Sequence, residues 1–182
     1  GTTSVIDHNA SPSFIIGSLT ALRKGFEKVG LRGILAYEVT DRNGEAGMKE
    51  GVAESIAFCK SIAKNKKKTP HLIESAIGGH APFTLGDDSL KLISDAISAT
   101  KKGIHIHVAE DQYDATFSRK RYNKGLLERL EDFGILNDKA ILVHGIYLGD
   151  PDIDIINKHD AYLIHNPRSN MNNSVGYMHK LG

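Results

Sequence analysis

The chain has 182 residues, enough for one domain with a substantial hydrophobic core. Its formal net charge is +1, so charge alone gives no reason to expect a nucleic-acid or membrane partner. The single cysteine, Cys59, excludes an internal disulfide framework and fits a reducing compartment. With no signal-peptide pattern and no apolar run of about 18 residues, we expect a cytoplasmic protein.

Short apolar or β-branched runs alternate with longer segments of helical periodicity along the whole chain. The predicted strands cover 2–6, 31–39, 71–79, 103–110, 139–148 and 161–167. The predicted helices cover 13–30, 45–65, 87–102, 122–134 and 150–159. Because the strands read as buried on both faces, this alternation predicts a parallel sheet with crossover helices.

Residues typical of helix ends occur near these boundaries. Ser11 or Ser13 is predicted to cap the first helix, and Asp87 the third. The glycines predicted to end helices are Gly30, Gly103 and Gly134. The apolar periodicity around Cys59 predicts a buried side chain, and the lysine-rich run 64–68 is interpreted as a solvated helix end.

Two architectures fit this order of elements: a doubly wound sheet and a (β/α)₈ barrel. A G-x-G-x-x-G after the first strand would favour the doubly wound sheet, and the sequence lacks it. Polar residues instead cluster directly after the strands, where a barrel carries its active site. They are Asp7, His8, Glu38, His80, His107, Glu110, His144, His165 and Asn166. We therefore predict an α/β fold of the TIM-barrel type.

The ends of the chain suggest an internal fragment. The sequence starts within a predicted strand and stops at 177–182 in what resembles a turn or a helix just begun. Six strands are two short of closure, and a whole barrel usually takes about 250 residues. We therefore expect residues 1–182 to form a single, partial barrel, with exposed strand edges that promote homo-oligomers.

The stretch GIHIHVAED, residues 103–111, carries the first candidate site residues. His105 and His107 lie two apart on a strand and so share a face, with His107 nearer the strand end. A lone strand histidine is more often a core residue than a ligand. However, Glu110 follows at the start of a loop, and a catalytic zinc needs imidazole ligands with a carboxylate nearby as a proton shuttle. The spacing of His107 and Glu110 would suit this division into ligand and shuttle, but alone it is a weak motif, and His105 is expected one layer deeper.

Three further strand ends add candidates. His144 ends the next strand, about 5 Å from the strand of His107, so both side chains are expected at one mouth. His80 follows two glycines and is either a substrate contact or a brace of its loop. The segment 165–176, rich in Asn and Ser, is either a solvated loop or a hydrogen-bonding wall for a polar heterocycle, and its residues slightly favour the loop.

Several catalytic motifs are missing from the sequence. The lack of G-x-S-x-G gives serine hydrolysis no support. The lack of P-C-x-x-C excludes the small zinc deaminase fold that edits cytidine. The helical zinc motif H-E-x-x-H is also missing.

Together these motifs resemble the amidohydrolase superfamily. The resemblance is to the branch of guanine deaminase, adenosylhomocysteine and methylthioadenosine deaminases, triazine hydrolases and SsnA-type aminohydrolases. GTTSVIDH resembles its second barrel strand and GGHAPFTLGDDSL its fourth. GIHIHVAED resembles the fifth, ILVHGIYL the sixth and IHNPRSNMNNSVG the seventh. The resemblance implies that this chain covers about strands 2–7 of a TIM-barrel catalytic domain.

The resemblance also implies roles for individual residues. His107 would bind one divalent metal, most often zinc, with iron as the alternative. Glu110 would carry protons and contact substrate, and His144 would orient the water, at or near the metal. His80 would contact the substrate. Ser169 and Asn170 would line or brace the pocket.

The family's first-strand His-x-His pair and eighth-strand Asp do not occur in this sequence. Of four usual ligands only His107 remains, with His144 as an accessory, so we expect this chain alone to hold metal weakly or not at all. A catalytic zinc takes about three protein ligands. The expected reaction of the longer protein is hydrolytic deamination of a purine-like N-heterocycle, a small-molecule substrate. The alternatives are a chlorohydrolase or amide hydrolase on the same scaffold, or a non-catalytic structural fragment.

Overall fold

The computed structural model describes residues 1–65 and 71–178. The end of the lysine-rich run, 66–68, and residues 179–182 of the predicted final turn or helix at 177–182 lie outside the described residues. The strands are β1 (Ser4–Asn9), β2 (Arg32–Tyr37), β3 (Ile73–Ser75), β4 (Ile77–Gly79), β5 (Ile104–Val108), β6 (Ile141–His144) and β7 (Tyr162–Ile164). All their pairings are parallel, in the order β1-β2-β3 and β4-β5-β6-β7. The predicted parallel α/β architecture is confirmed.

The helices follow the strands as crossover connections. They are α1 (Ser18–Val29), α2 (Gly44–Asn65), α3 (Asp87–Thr100), α4 (Gln112–Tyr122), α5 (Leu126–Asp132), α6 (Asp150–His159) and α7 (Pro167–Asn172). Two helices were not predicted. The face that α4 buries carries the polar residues Asp114 and Ser118, so it has no apolar stripe to reveal it. In α7, Pro167 occupies the first turn, where a missing N–H costs nothing.

The first helix has a cap that comes from another helix. The prediction of Ser11 or Ser13 as its cap is wrong, because α1 begins at Ser18 after Gly17, which has a φ of 87°. The Glu54 carboxylate of α2 accepts the N–H groups of Gly17 at 2.8 Å and Leu19 at 3.0 Å. A buried carboxylate thus satisfies the free amides of a distant helix start.

The start of α3 is arranged in the same way. Asp87 is the first helical residue rather than the predicted cap, and Gly86 precedes it. The Asp41 carboxylate accepts the Gly86 N–H at 2.7 Å and the Ser89 hydroxyl. Asp87 instead accepts a hydrogen bond from Arg129 at 2.7 Å.

Two of the three predicted glycine stops are confirmed. Gly30 and Gly134 follow α1 and α5 with φ values of 69° and 65°. Gly103 is not a stop, because α3 ends at Thr100 and is capped by Lys101, which has a φ of 57°. A Cβ on Gly103 would lie 2.0 Å from the Lys139 carbonyl oxygen, so close packing of two backbones requires this glycine.

The hydrophobic core lies between the sheet and the helices. On β5, Ile104, Ile106 and Val108 are fully buried in this core, whereas His105 and His107 alternate with them on the opposite face. Cys59 is buried in the same core, as predicted. The face that carries the histidines is therefore the inner, concave side of the partial barrel. No helix among residues 1–65 and 71–178 combines the length and apolar character needed to cross a membrane.

The predicted strand 71–79 is divided at Ala76 into β3 and β4. The Ala76 N–H donates to the Leu35 carbonyl at 3.1 Å, and the His80 N–H donates to the Val39 carbonyl at 2.9 Å. These bonds join the two ladders into one curved sheet. At this junction a Cβ on Gly78 would lie 1.9 Å from the Tyr37 carbonyl oxygen.

We expect Gly78→Ala to lower the free energy of unfolding by about 1–3 kcal/mol or more, because the obstructing atom is backbone and cannot rotate away. Urea denaturation would measure the change. Gly25→Ala is the matched control, since a Cβ there meets nothing within 4 Å and alanine is favoured inside a helix. Equal stability of the two variants would contradict the close approach of β4 to β2.

We also expect concentration-dependent self-association. β1 and β7 are the outermost strands of the described sheet, and their Ile6 and Tyr162 are 44% and 60% exposed. Light scattering over a dilution series would measure the mass. Ile6→Lys places a charge on the β1 edge and should shift the equilibrium toward the monomer. A wild-type monomer at every concentration would contradict this prediction.

Candidate active site

Three histidine rings surround that of His107 at the carboxyl ends of the strands. His107 lies near the end of β5, His8 near the end of β1, His144 at the end of β6, and His80 directly after β4. The centroid of the His107 ring lies 4.5 Å from that of His8, 5.4 Å from that of His144 and 5.8 Å from that of His80. Strands from both ladders of the described sheet therefore contribute side chains to one site.

A backbone carbonyl holds the His107 ring. Its Nδ1 lies 2.9 Å from the His80 carbonyl oxygen, so Nδ1–H donates and Nε2 keeps its lone pair. Burial lowers the pKa of His107, while the bond to the His80 carbonyl opposes that shift. A neutral imidazole with a fixed ring and a free Nε2 is the form that binds metals.

His80 both braces its loop and faces the cleft. Its Nδ1 lies 2.9 Å from Thr84 Oγ1, and that hydroxyl donates to the Ala81 carbonyl at 2.9 Å. His80 Nδ1–H is therefore the donor, and its Nε2 remains available. Burial, with a further effect of Arg42, lowers the pKa of His80 to about 4. His80 can therefore brace its loop through Nδ1 and still be available to contact a substrate through Nε2.

A cleft of about 280 Å³ opens beside His80 and His107. Its lining combines two imidazoles, carboxylates, a guanidinium and an aromatic ring, and consists of Arg42, His80, Ala81, Phe83, His107, Glu110, Asp111, Asp114 and Val175. The mixture suits a small, flat molecule with several hydrogen-bonding atoms.

A buried arginine holds the loop that follows His80. Arg129 of α5 is 2% exposed and donates to the carbonyl oxygens of Pro82 at 3.1 Å and Leu85 at 2.9 Å. Its guanidinium also lies 3.7 Å from the centre of the Tyr122 ring. Because the residues bound by Arg129 flank Thr84, this side chain indirectly fixes the orientation of His80.

His144 reaches the site through a left-handed backbone conformation. It pairs with Val108, which faces the core, so regular alternation would turn His144 away from His107. Its φ of 77°, followed by 64° at Gly145, ends the extended conformation. A non-glycine residue in this region is strained and requires support from its surroundings.

Asn170 of α7 supplies part of that support. His144 Nδ1 lies 2.8 Å from Asn170 Oδ1, so the imidazole donates and its Nε2 points toward Glu110. Asn170 is 1% exposed, and its amide nitrogen lies 3.5 Å from His165 Nδ1. Ser169 is exposed on the same helix and does not belong to the described lining of the cleft.

Glu110 lies on the loop after β5, with its Oε2 3.6 Å from His144 Nε2 and its Oε1 3.2 Å from the Asn173 amide. The preceding residue, Ala109, has a φ of 48° and donates its N–H to Asp114 Oδ2 at 2.8 Å. Burial raises the pKa of Asp114 to about 7. Asp114 therefore fixes the turn that presents Glu110 to the site.

His8 and Glu38 were noted only as polar residues at strand ends, and they also belong to the site. His8 Nε2 lies 3.5 Å from Glu38 Oε2, and neither ring nitrogen of His8 has a hydrogen-bond partner among the described residues. Burial, and then His107, His105 and His80, lower the pKa of His8 to about 2. Burial raises the pKa of Glu38, against the effect of Arg42.

His105 lies deeper, as predicted. It is 5% exposed, and its ring centroid lies 4.6 Å from that of His8. Burial lowers its pKa to about 4. The structure thus brings together His107, Glu110, His144 and His80, with Asn170 behind His144 and His105 below.

Parallel strands, crossover helices and histidines at the strand ends define part of a TIM barrel with a hydrolase-like mouth. The chain belongs to the amidohydrolase family, because the sequence model of that family matches residues 1–180. It is 30% identical over 178 residues to a 5-methylthioadenosine/S-adenosylhomocysteine deaminase of Thermococcus sibiricus, covering 98% of this chain and 40% of that protein.

Solved structures give the same fold. A guanine deaminase of C. acetobutylicum with bound guanine has a TM-score of 0.80 at 18% identity, over 98% of this chain and 42% of that one. An adenosine deaminase of Xanthomonas campestris with bound zinc has a TM-score of 0.78 at 22% identity, over 97% and 38%. The chain spans about two fifths of the length of these relatives.

The two histidines of β5 should respond differently to truncation. We expect His105→Ala to lower the free energy of unfolding by about 2–5 kcal/mol through an internal cavity, with a smaller effect on turnover by the full-length protein. His107→Ala should lower turnover strongly and the free energy of unfolding less. Urea denaturation of each variant, with turnover measured at a temperature where both are folded, separates the two effects. Equal losses of stability would contradict the distinction.

Proposed function

We propose that the full-length protein is a metal-dependent aminohydrolase that releases ammonia from a purine-like N-heterocycle. The observation that carries this proposal is the placement of Glu110 Oε2 3.6 Å from His144 Nε2, beside the His107 ring. The mouth thus contains a carboxylate for acid–base chemistry, that of Glu110, the fixed imidazole of His144 and the free Nε2 lone pair of His107. The deaminases among its relatives support a nitrogen heterocycle as substrate.

The residues at the site fit a divalent metal. His107 donates its Nδ1–H to a carbonyl, which leaves its Nε2 lone pair for a ligand, and the buried ring nitrogens of His8 have no hydrogen-bond partner among the described residues. We propose that His107 holds the metal, with His144 beside it, and that zinc is its identity. A bound divalent metal supplies a water that ionises near neutral pH.

Glu110 is proposed to move the protons. Its carboxylate, partly exposed to the cleft, accepts a proton from the attacking water and delivers it to a ring nitrogen. Addition of the water oxygen to the amidine-like carbon forms a tetrahedral intermediate. Glu110 then takes the remaining proton of the added hydroxyl group and passes it to the amino group, and ammonia leaves as the carbon–oxygen double bond forms.

His144 and His80 are proposed to position the reactants. Asn170 fixes His144 so that its Nε2 faces Glu110 and can accept a hydrogen bond from the attacking water. Thr84 fixes His80 so that its Nε2 can accept a hydrogen bond from the substrate. Both contacts need an imidazole nitrogen with a free lone pair, because only such a nitrogen can accept a hydrogen bond. Ser169 is proposed to act only through the position of α7. We also propose a cytoplasmic location for the protein.

We expect Glu110→Gln in the full-length protein to reduce ammonia release from purines or pterins by about 10²–10⁴-fold, because the amide cannot accept and return a proton. Enzyme-coupled ammonia detection would measure this. Glu45→Gln is the control, since Glu45 pairs with Lys49 on the exposed side of α2. Turnover near the wild-type rate in Glu110→Gln would remove Glu110 from the mechanism.

A further inference from the structure

We propose that Arg42 and Phe83 form a specificity subsite that selects N-heterocycles carrying a carboxylate group. This inference rests on the proposed function, because it takes the cleft beside His80 and His107 as the place where the substrate binds. Arg42 and Phe83 line that cleft, and both also line an adjoining pocket of about 380 Å³. The adjoining pocket is also lined by Thr84, Leu85, Gly86 and Tyr122. A reacting ring in the cleft could therefore extend a substituent past these two shared side chains.

Backbone contacts hold Arg42 beside Phe83. Arg42 belongs to a short 3₁₀ turn after β2, and its N–H donates to Thr40 Oγ1 at 3.3 Å. The neighbouring Asp41 carboxylate accepts the Gly86 N–H at 2.7 Å, which ties this turn to the loop that carries Phe83. The guanidinium carbon of Arg42 lies 5.6 Å from the centre of the Phe83 ring, within the range of a cation–π contact.

The exposed guanidinium of Arg42 forms no ion pair with any carboxylate among the described residues. Arg23 and Arg129, by contrast, each have a carboxylate oxygen at 2.7 Å, from Glu27 and Asp87 respectively. An arginine is always protonated, and contact with an aromatic face leaves the N–H donors at the edge of the guanidinium available. Arg42 therefore presents an unneutralised positive charge with free donors at the mouth of the cleft.

The charge of Arg42 reaches the reactive part of the cleft. Burial, and then Arg42, lower the pKa of His80, while Glu110 acts on it in the opposite sense. The carboxylates that line the cleft belong to the segment after β5, and they are Glu110, Asp111 and Asp114. The cleft thus has positive and negative groups on different elements. A heterocycle with an anionic group would be oriented with that group toward Arg42 and its basic edge nearer Glu110.

The charges favour a carboxylate over a phosphate group. A guanidinium fork can bind either group through two parallel hydrogen bonds. However, Arg42 is the one arginine or lysine in the described linings of the two pockets. A phosphate with nearly two negative charges would be incompletely neutralised there, close to the carboxylates of the cleft. One carboxylate matches one guanidinium, and Phe83 supplies an aromatic surface for the heterocycle that carries it.

The test uses two ligand pairs whose members differ in a carboxylate: pterin with pterin-6-carboxylate, and 9-ethyladenine with adenine-9-acetic acid. Calorimetric titration of the full-length protein would give the dissociation constants, in a Glu110→Gln background that blocks the proposed reaction. We expect the acid of at least one pair to bind about 10-fold or more tightly than its parent. Arg42→Gln should reduce this preference by about 10–100-fold, the range for one charge-assisted hydrogen-bonding partner. Arg42→Lys should give an intermediate loss, because lysine keeps the charge without the fork.

Arg119→Gln is the matched control. Arg119 is an exposed arginine of α4 outside the linings of both pockets, so its replacement removes the same charge elsewhere and should leave the preference unchanged. Circular dichroism would confirm that each variant is folded. In the active enzyme, Arg42→Gln should raise the KM for a deaminated acid much more than it lowers kcat, because the contact lies away from the reacting carbon. A general disturbance of the fold would not separate the two constants in this way.

Equal affinities for acid and parent in both pairs, or binding of none of the four ligands, would overturn the proposal. So would a preference for the acid that survives in folded Arg42→Gln. A stronger preference for 5′-AMP over adenosine than for either acid over its parent would also overturn it, in favour of a phosphate. Failure of the proposed function is distinguishable by the ammonia formed during the titrations. Release at the wild-type rate by Glu110→Gln would reject the mechanism, while a preference that depends on Arg42 would leave the subsite in place.

Discussion

The site depends on keeping closely packed imidazoles uncharged. His8, His80, His105 and His107 lie on the inner face or at the mouth of the sheet, and burial lowers the pKa of each. Protonation of one ring would place a cation against its neighbours in a poorly solvated space. In a neutral ring one nitrogen donates and the other accepts, and the neighbouring atoms decide which nitrogen carries the proton. The His80 carbonyl and the Thr84 hydroxyl make that assignment for His107 and His80.

The support for these rings comes largely from segments between the strands. Arg129 secures the loop beneath His80, Asp114 secures the turn before Glu110, and Asn170 holds His144. The latter two come from α4 and α7, the helices that the periodicity did not reveal. Their buried polar faces exist to hold site residues rather than to fill the core. An apolar pattern is therefore a poor guide to the helices nearest the chemistry.

Much of the architecture could be predicted from the sequence because strand and helix periodicity are local properties. The six predicted strands and the burial of His105 follow from periodicity and alternation, and the nearness of β5 and β6 follows from parallel strand order. The caps supplied by Glu54 and Asp41 could not be predicted in this way, since each acts on a helix more than 30 residues away.

The same limit applies to the site itself. His8 and His107 are 99 residues apart along the chain, and the curvature of the sheet brings their rings together. His144 faces the site through a backbone conformation that strand alternation does not contain. The useful signal for His8 and Glu38 was their position after strands, which predicted the mouth of the barrel without assigning a partner to either residue.

The division of one strand at Ala76 has a mechanical consequence. His8 and Glu38 belong to the ladder of β1 to β3, whereas His107 and His144 belong to the ladder of β4 to β7. The site therefore straddles a seam in the sheet that is bridged by two backbone bonds near Ala76 and His80. A slight shear along this seam would separate groups that are each rigid within their own ladder. A ligand held from both sides would fasten the seam, so occupancy of the mouth and stiffness of the sheet would rise and fall together.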